Sequence, residues 1–126
     1  MKSIKRILLV DDDPEIREII AGFLSSTDFE VVEASDVETA QLELAKGVPF
    51  DLAILDFWLG KNHAVTIMDL VISKSYSIPV IIVSGGNGRM DLEKTEAISD
   101  ISGAVMFLQK PFQKNDLLDA VAAATL

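Results

Sequence analysis

The 126-residue chain contains no cysteine, which excludes disulfides, zinc-thiolate sites and thiol nucleophiles. It is also poor in cations, with 11 Lys and Arg against 20 Asp and Glu and a formal net charge of −9. A nucleic-acid or anionic-membrane surface needs clustered Lys and Arg, so this balance argues against both while permitting a divalent-cation site. Long apolar runs are missing too. Behind the basic start Met1-Lys2-Ser3-Ile4-Lys5-Arg6 come only four apolar residues before three aspartates, which fits neither a signal peptide nor a membrane span and predicts a soluble, cytoplasmic protein. With no repeat, low-complexity tract or linker, residues 1–126 read as a single domain, long enough for a core and too short for two. The lone histidine, His63, has no supporting base nearby in sequence and reads as a solvent-facing loop residue rather than a phosphate carrier. Gly85-Gly86-Asn87-Gly88 lacks the Lys-Ser/Thr ending of a phosphate loop and reads as a flexible turn.

What the chain does have is alternation. Apolar runs of strand length, at 5–10, 29–32, 51–55, 78–83 and 104–108, are separated by stretches of helical period, the pattern of βα units and a mainly parallel sheet. Asp13-Pro14-Glu15 opens the first helix with an N-cap, a proline at the first helical position and an acid in the first turn. Ile16, Ile19, Ile20, Phe23 and Leu24 then form one apolar stripe. Ser35-Asp36-Val37-Glu38 resembles a capping box for a second helix buried through Val37, Ala40 and Leu44 and stopped by Gly47. Further helices are expected over 65–72, 91–101 and 115–124, with a loop from Asp56 to about Ala64. The short second strand, flanked by acids, reads as an edge.

The strands end on chemistry. Ile7-Leu8-Leu9-Val10 runs into Asp11-Asp12-Asp13, Leu52-Ala53-Ile54-Leu55 into Asp56, and the fourth and fifth runs lead to Ser84 and Lys110. In an open parallel sheet these ends share one rim, where ligands bind. Carboxylates gathered there repel one another, and a hard cation with oxygen ligands, Mg²⁺, relieves this. An ammonium and a hydroxyl beside such a cation are what phosphoryl transfer uses, with Asp56 as the carboxylate nucleophile.

These residues, Leu8-Leu9-Val10-Asp11-Asp12-Asp13-Pro14, Leu55-Asp56, Pro79-Val80-Ile81-Ile82-Val83-Ser84-Gly85 and Lys110-Pro111-Phe112, make the chain resemble the receiver domain of bacterial two-component response regulators over essentially its whole length. The resemblance implies a flavodoxin-like, doubly wound α/β fold with a five-stranded parallel sheet of order 2-1-3-4-5 and five helices. By the same resemblance Asp56 is the phosphoacceptor, Asp11 and Asp12 hold Mg²⁺ with Asp56 and the backbone carbonyl of Trp58, Ser84 is the switch hydroxyl, Lys110 the charge partner and Phe107 the aromatic switch residue. The partners implied are a sensor histidine kinase or histidine phosphotransfer protein and an output protein or effector domain, with room for a homodimer. The chain would catalyse its own phosphorylation and dephosphorylation without being a conventional enzyme.

Where the family usually has proline four residues and glycine eight residues after the phosphoacceptor, this chain has Gly60 and Ala64, which predicts a more mobile loop. Lys110 follows Ser84 by 26 positions, a few more than usual in the family. Two rivals have different chemistry. A flavodoxin-like redox carrier would need hydroxyls and glycines where Asp11-Asp12-Asp13 stand. A degenerate receiver, a pure interaction module, would not need the full set of Asp11, Asp12, Asp56, Ser84 and Lys110. The chain could also be excised from a larger regulator or hybrid kinase.

Overall fold

A computed structural model describes residues 5–56, 58–59, 62–63, 78–85, 106–110 and 112–125. The ten elements are β1 (Arg6–Val10), α1 (Pro14–Leu24), β2 (Glu30–Ala34), α2 (Val37–Ala45), β3 (Leu52–Asp56), β4 (Trp58–Leu59), β5 (Asn62–His63), β6 (Val80–Gly85), β7 (Met106–Lys110) and α3 (Lys114–Ala124). Five strands form one parallel sheet in the order β2-β1-β3-β6-β7, which is the expected 2-1-3-4-5. Three of the five expected helices are present as α1, α2 and α3; those expected over 65–72 and 91–101 lie outside the described residues.

Alternation within the central strands explains why the sheet is buried on both faces. Leu8, Val10, Ala53, Leu55, Val80 and Ile82 point to one side and pack with Val37, Ala40 and Leu44 of α2. Their neighbours Ile7, Leu9, Leu52, Ile54, Ile81 and Val83 point to the other and pack with Ile20 and Leu24 of α1 and Leu117, Ala120 and Val121 of α3. Continuous apolar strands therefore form a core on each side, as a doubly wound sheet requires.

The helix starts are local chemistry. Asp13 caps α1, accepting from the Glu15 N–H at 2.9 Å, and Pro14 takes the first helical position. In α2 the cap is Asp36, one residue later than the Ser35 box predicts. Its carboxylate accepts from the Thr39 N–H at 2.7 Å, a stronger acceptor than the serine hydroxyl at the same task. In α3 the Gln113 N–H donates to Asp116 Oδ2 at 2.9 Å. Gly47, at φ 77°, leads the chain off α2 through a conformation that a side chain would strain. Among the described residues no helix is long and apolar enough to cross a membrane.

Two expectations are corrected. Ile19 is 49% exposed, so the buried stripe of α1 runs through Ile16, Ile20, Phe23 and Leu24 without it. The stretch after Asp56, expected as loop throughout, contains the short antiparallel pair β4–β5, with Trp58 opposite His63 and Leu59 opposite Asn62.

Candidate functional site

At the carboxyl ends of β1 and β3 the apolar strands deliver two buried carboxylates, Asp11 at 1% exposure and Asp56 at 7%. Asp11 stands one residue past β1, and its backbone N–H donates to Ala34 O at 3.1 Å, extending the pairing of β1 with β2. Its carboxylate is held at both oxygens: Oδ1 accepts from the Asp13 N–H at 2.9 Å and Oδ2 from Lys110 Nζ at 3.1 Å. Lys110, the last residue of β7, crosses above the ends of β6 and β3 to make this bond, and its Nζ also lies 3.7 Å from Asp56 Oδ1. One ammonium thus touches both buried acids. Such charge-assisted contacts fix a carboxylate more firmly than neutral ones.

Asp12 is exposed, yet a carboxylate oxygen from each of Asp11, Asp12 and Asp56 lies within 4.8 Å of the others. Three carboxylates against one ammonium leave these four side chains at −2. Close like charges with two of the three acids buried are costly unless a cation joins them. The donors are all oxygen, the set that hard divalent cations such as Mg²⁺ take. The residues present therefore fit the expected cation.

The other expected site residues are placed by backbone register. Asp56 pairs with Val83, so Ser84 is the next residue along β6, at the same rim, opposite Gln109 of β7. Phe107 pairs with Ile82, one register step below the Val83 level. The side chains of Ser84 and Phe107 lie outside the described residues, as do Gly60 and Ala64. Trp58 opens β4 two residues beyond Asp56. In a hairpin with two residues between its strands the flanking pair, Leu59 and Asn62, exchanges the hydrogen bonds, which makes Trp58 and His63 the non-bonded pair. The ladder thus turns the Trp58 carbonyl away from β5.

In the sequence Arg17 is a single cation on an amphipathic helix and looks like any solvated residue. Its Nη1 donates to the Asp11 backbone carbonyl at 2.6 Å and its Nε lies 3.3 Å from Glu33 Oε1 on β2. The available signal is its place: a cation in the first turns of α1 faces the positive end of the helix dipole, so something outside the helix must hold it there.

The profile of the response regulator receiver domain family matches residues 7–122. The chain is similar to the regulatory protein VirG of Agrobacterium tumefaciens, 31% identical over 124 residues, covering 98% of this chain and 44% of VirG. It is similar to the response regulator GtcR of Aneurinibacillus migulanus, 35% identical over 118 residues, covering 94% of this chain and 45% of GtcR. The chain thus spans less than half the length of either relative. Among solved structures, the receiver domain of NtrX from Brucella abortus matches with a TM-score of 0.84 at 29% identity, covering 94% of this chain and 97% of that one.

Proposed function

The chain belongs to the response regulator receiver domain family, and on that premise we propose that residues 1–126 form one receiver that Asp56 switches by accepting a phosphoryl group. The donor is the phosphohistidine of a sensor histidine kinase or histidine phosphotransfer protein, met in the cytoplasm, and the recipient of the signal is an output protein or effector domain. The observation that carries this is the cluster itself, Asp11, Asp12 and Asp56 with oxygens within 4.8 Å of one another and Lys110 on two of them.

Asp11, Asp12, Asp56 and the Trp58 carbonyl would hold Mg²⁺. When bound, Mg²⁺ supplies the positive charge that lets an anionic phosphoryl group approach a cluster of carboxylates. An Asp56 carboxylate oxygen forms a bond to phosphorus while the P–N bond to the donor imidazole breaks. The electron pair of that bond stays on the imidazole nitrogen, which takes a proton from solvent. Lys110 moves its hydrogen bonding from the carboxylates to the phosphoryl oxygens, and the Ser84 hydroxyl donates to another of them. Reset is hydrolysis: a water oxygen bonds to phosphorus, the acyl-phosphate P–O bond breaks, and Asp56 returns as a carboxylate with inorganic phosphate released. The added charge draws Ser84 and the segment after β6 towards Asp56, Phe107 follows, and the population shifts between two partner-binding surfaces.

The test is intact mass after incubation with Mg²⁺ and acetyl phosphate. One added phosphoryl group is expected, absent from Asp56→Asn and absent without Mg²⁺. A parent protein that gains nothing even at short times would be an interaction module instead.

A further inference from the structure

We propose that Arg17 is a positioning residue for the cation site: it sets the peptide between Asp11 and Asp12, and Glu33 sets Arg17. This rests on the reading of Asp11, Asp12 and Asp56 as cation ligands. The carbonyl that receives Arg17 Nη1 at 2.6 Å belongs to the planar peptide unit joining Asp11 to Asp12. Holding that oxygen fixes the plane, and with it the Cα from which the Asp12 side chain hangs. Asp12 is exposed, so its carboxylate is aimed through its backbone. Asp11, by contrast, is anchored at every polar group: its N–H on Ala34 O, Oδ1 on the Asp13 N–H, Oδ2 on Lys110, and its carbonyl on Arg17.

The planar guanidinium suits this task because two of its nitrogens work at once. While Nη1 holds the Asp11 carbonyl, Nε lies 3.3 Å from Glu33 Oε1, and Glu33 adjoins Ala34, the residue that receives the Asp11 N–H. The result is a closed circuit from β1 through α1 to β2 and back to β1. A lysine keeps the charge but has one nitrogen for two partners.

The sign of the effect separates positioning from charge. Arg17 is a cation beside a cation site, so by Coulomb's law alone its removal should tighten Mg²⁺ binding. Positioning predicts the reverse. Mg²⁺ affinity is to be read from the rise of the thermal midpoint with Mg²⁺ concentration, which needs no turnover. Arg17→Met is expected to bind Mg²⁺ about tenfold more weakly, the scale typical for outer-shell partners of metal ligands. Arg17→Lys, which retains the charge and is the milder change for folding, should resemble Arg17→Met more than the parent. Arg6→Met, which breaks a comparable set of contacts at the opposite end of the sheet, should lower the midpoint and leave Mg²⁺ affinity unchanged. Equal or tighter binding in Arg17→Met, full affinity in Arg17→Lys, or the same weakening in Arg6→Met would each overturn the proposal. A parent whose midpoint ignores Mg²⁺ would overturn the cation-site reading itself, and this inference with it.

Discussion

The two ends of the parallel sheet are built from the same kinds of residue and solve opposite problems. At the amino end, both backbone groups of Arg6 bond to Asp51: the Arg6 N–H donates to the carboxylate oxygen Asp51 Oδ2 at 2.8 Å and the Arg6 carbonyl accepts from the Asp51 N–H at 2.8 Å. The Arg6 guanidinium lies 3.3 Å from Glu30 Oε2, donates to Val48 O at 3.2 Å and stacks 4.5 Å over the Phe50 ring. Cation and anions there answer one another. At the carboxyl end, among the described residues, three carboxylates gather about the Lys110 ammonium, and two of them are buried where water screens them little. A rim in which each anion is held by a cation or a backbone N–H is structural; a rim that crowds three carboxylates onto one ammonium is organised for something that arrives from outside.

Lys110→Met breaks the carboxyl rim most severely. With the ammonium gone, acyl-phosphate formation from acetyl phosphate should slow by about 10²-fold, the scale seen when one preorganised donor to a developing anion is lost. Intact-mass time courses measure this. Asp11 and Asp56 would then face each other without that shared cation, so stability without Mg²⁺ should fall, by about 1–3 kcal/mol for a buried group losing its partner, and Mg²⁺ should restore it. Urea denaturation with and without Mg²⁺ decides this. If Mg²⁺ bound more weakly in Lys110→Met, the ammonium and the divalent cation would not be sharing one excess of negative charge, and the contrast between the rims would fail.

Arg6→Met attacks the other rim. It leaves the Val48 carbonyl and Glu30 without this partner and removes a cation from the Phe50 face, while methionine still covers part of the ring. A loss of about 1–2 kcal/mol is expected from hydrogen bonds of this kind, measured by urea denaturation. Added Mg²⁺ should leave the deficit in place. Phosphorylation of Asp56 should proceed at the parent rate.

How far each rim was legible in the sequence follows from what hydrophobicity reports. Apolar runs mark burial, and the central strands were found because both of their faces are covered. The ladder does not stop where burial does. β6 reaches Gly85 and β7 reaches Lys110, each two residues beyond its apolar run, because backbone pairing needs no apolar side chain. β2 and β3 likewise run past the expected stretches, to Ala34 and Asp56, whereas β1 ends at Val10 as expected. Asp13 and Pro14 were readable because capping is local chemistry. The ties of Arg17 to Asp11 and Glu33 and of Lys110 to Asp11 were not readable as contacts, since they span residues brought together only by the fold. The β4–β5 pair gave no period to detect, having two residues in each strand.

The smallest expected effect concerns Asp36, which follows the carboxyl end of β2 but is not part of the Asp11, Asp12 and Asp56 cluster, and tests whether charge matters away from that cluster. Its exposed carboxylate accepts from the Thr39 N–H at 2.7 Å, and that hydrogen bond holds its carboxyl below the ordinary value of 3.8. A group whose folded pKa is depressed binds its proton more readily when the chain is unfolded. It therefore adds stability above the unfolded value, and the contribution disappears as pH falls through the folded one. The stability difference between the parent and Asp36→Ala should be constant near neutral pH and shrink as pH falls below about 4, the unfolded carboxylate range. It should not respond to Mg²⁺. Salt should weaken it little, because a short hydrogen bond to a helix N–H is a contact rather than a long-range field. A difference that grew on acidification would mean that the protonated side chain caps α2 better than the carboxylate does, and would remove charge from the account of how this helix begins.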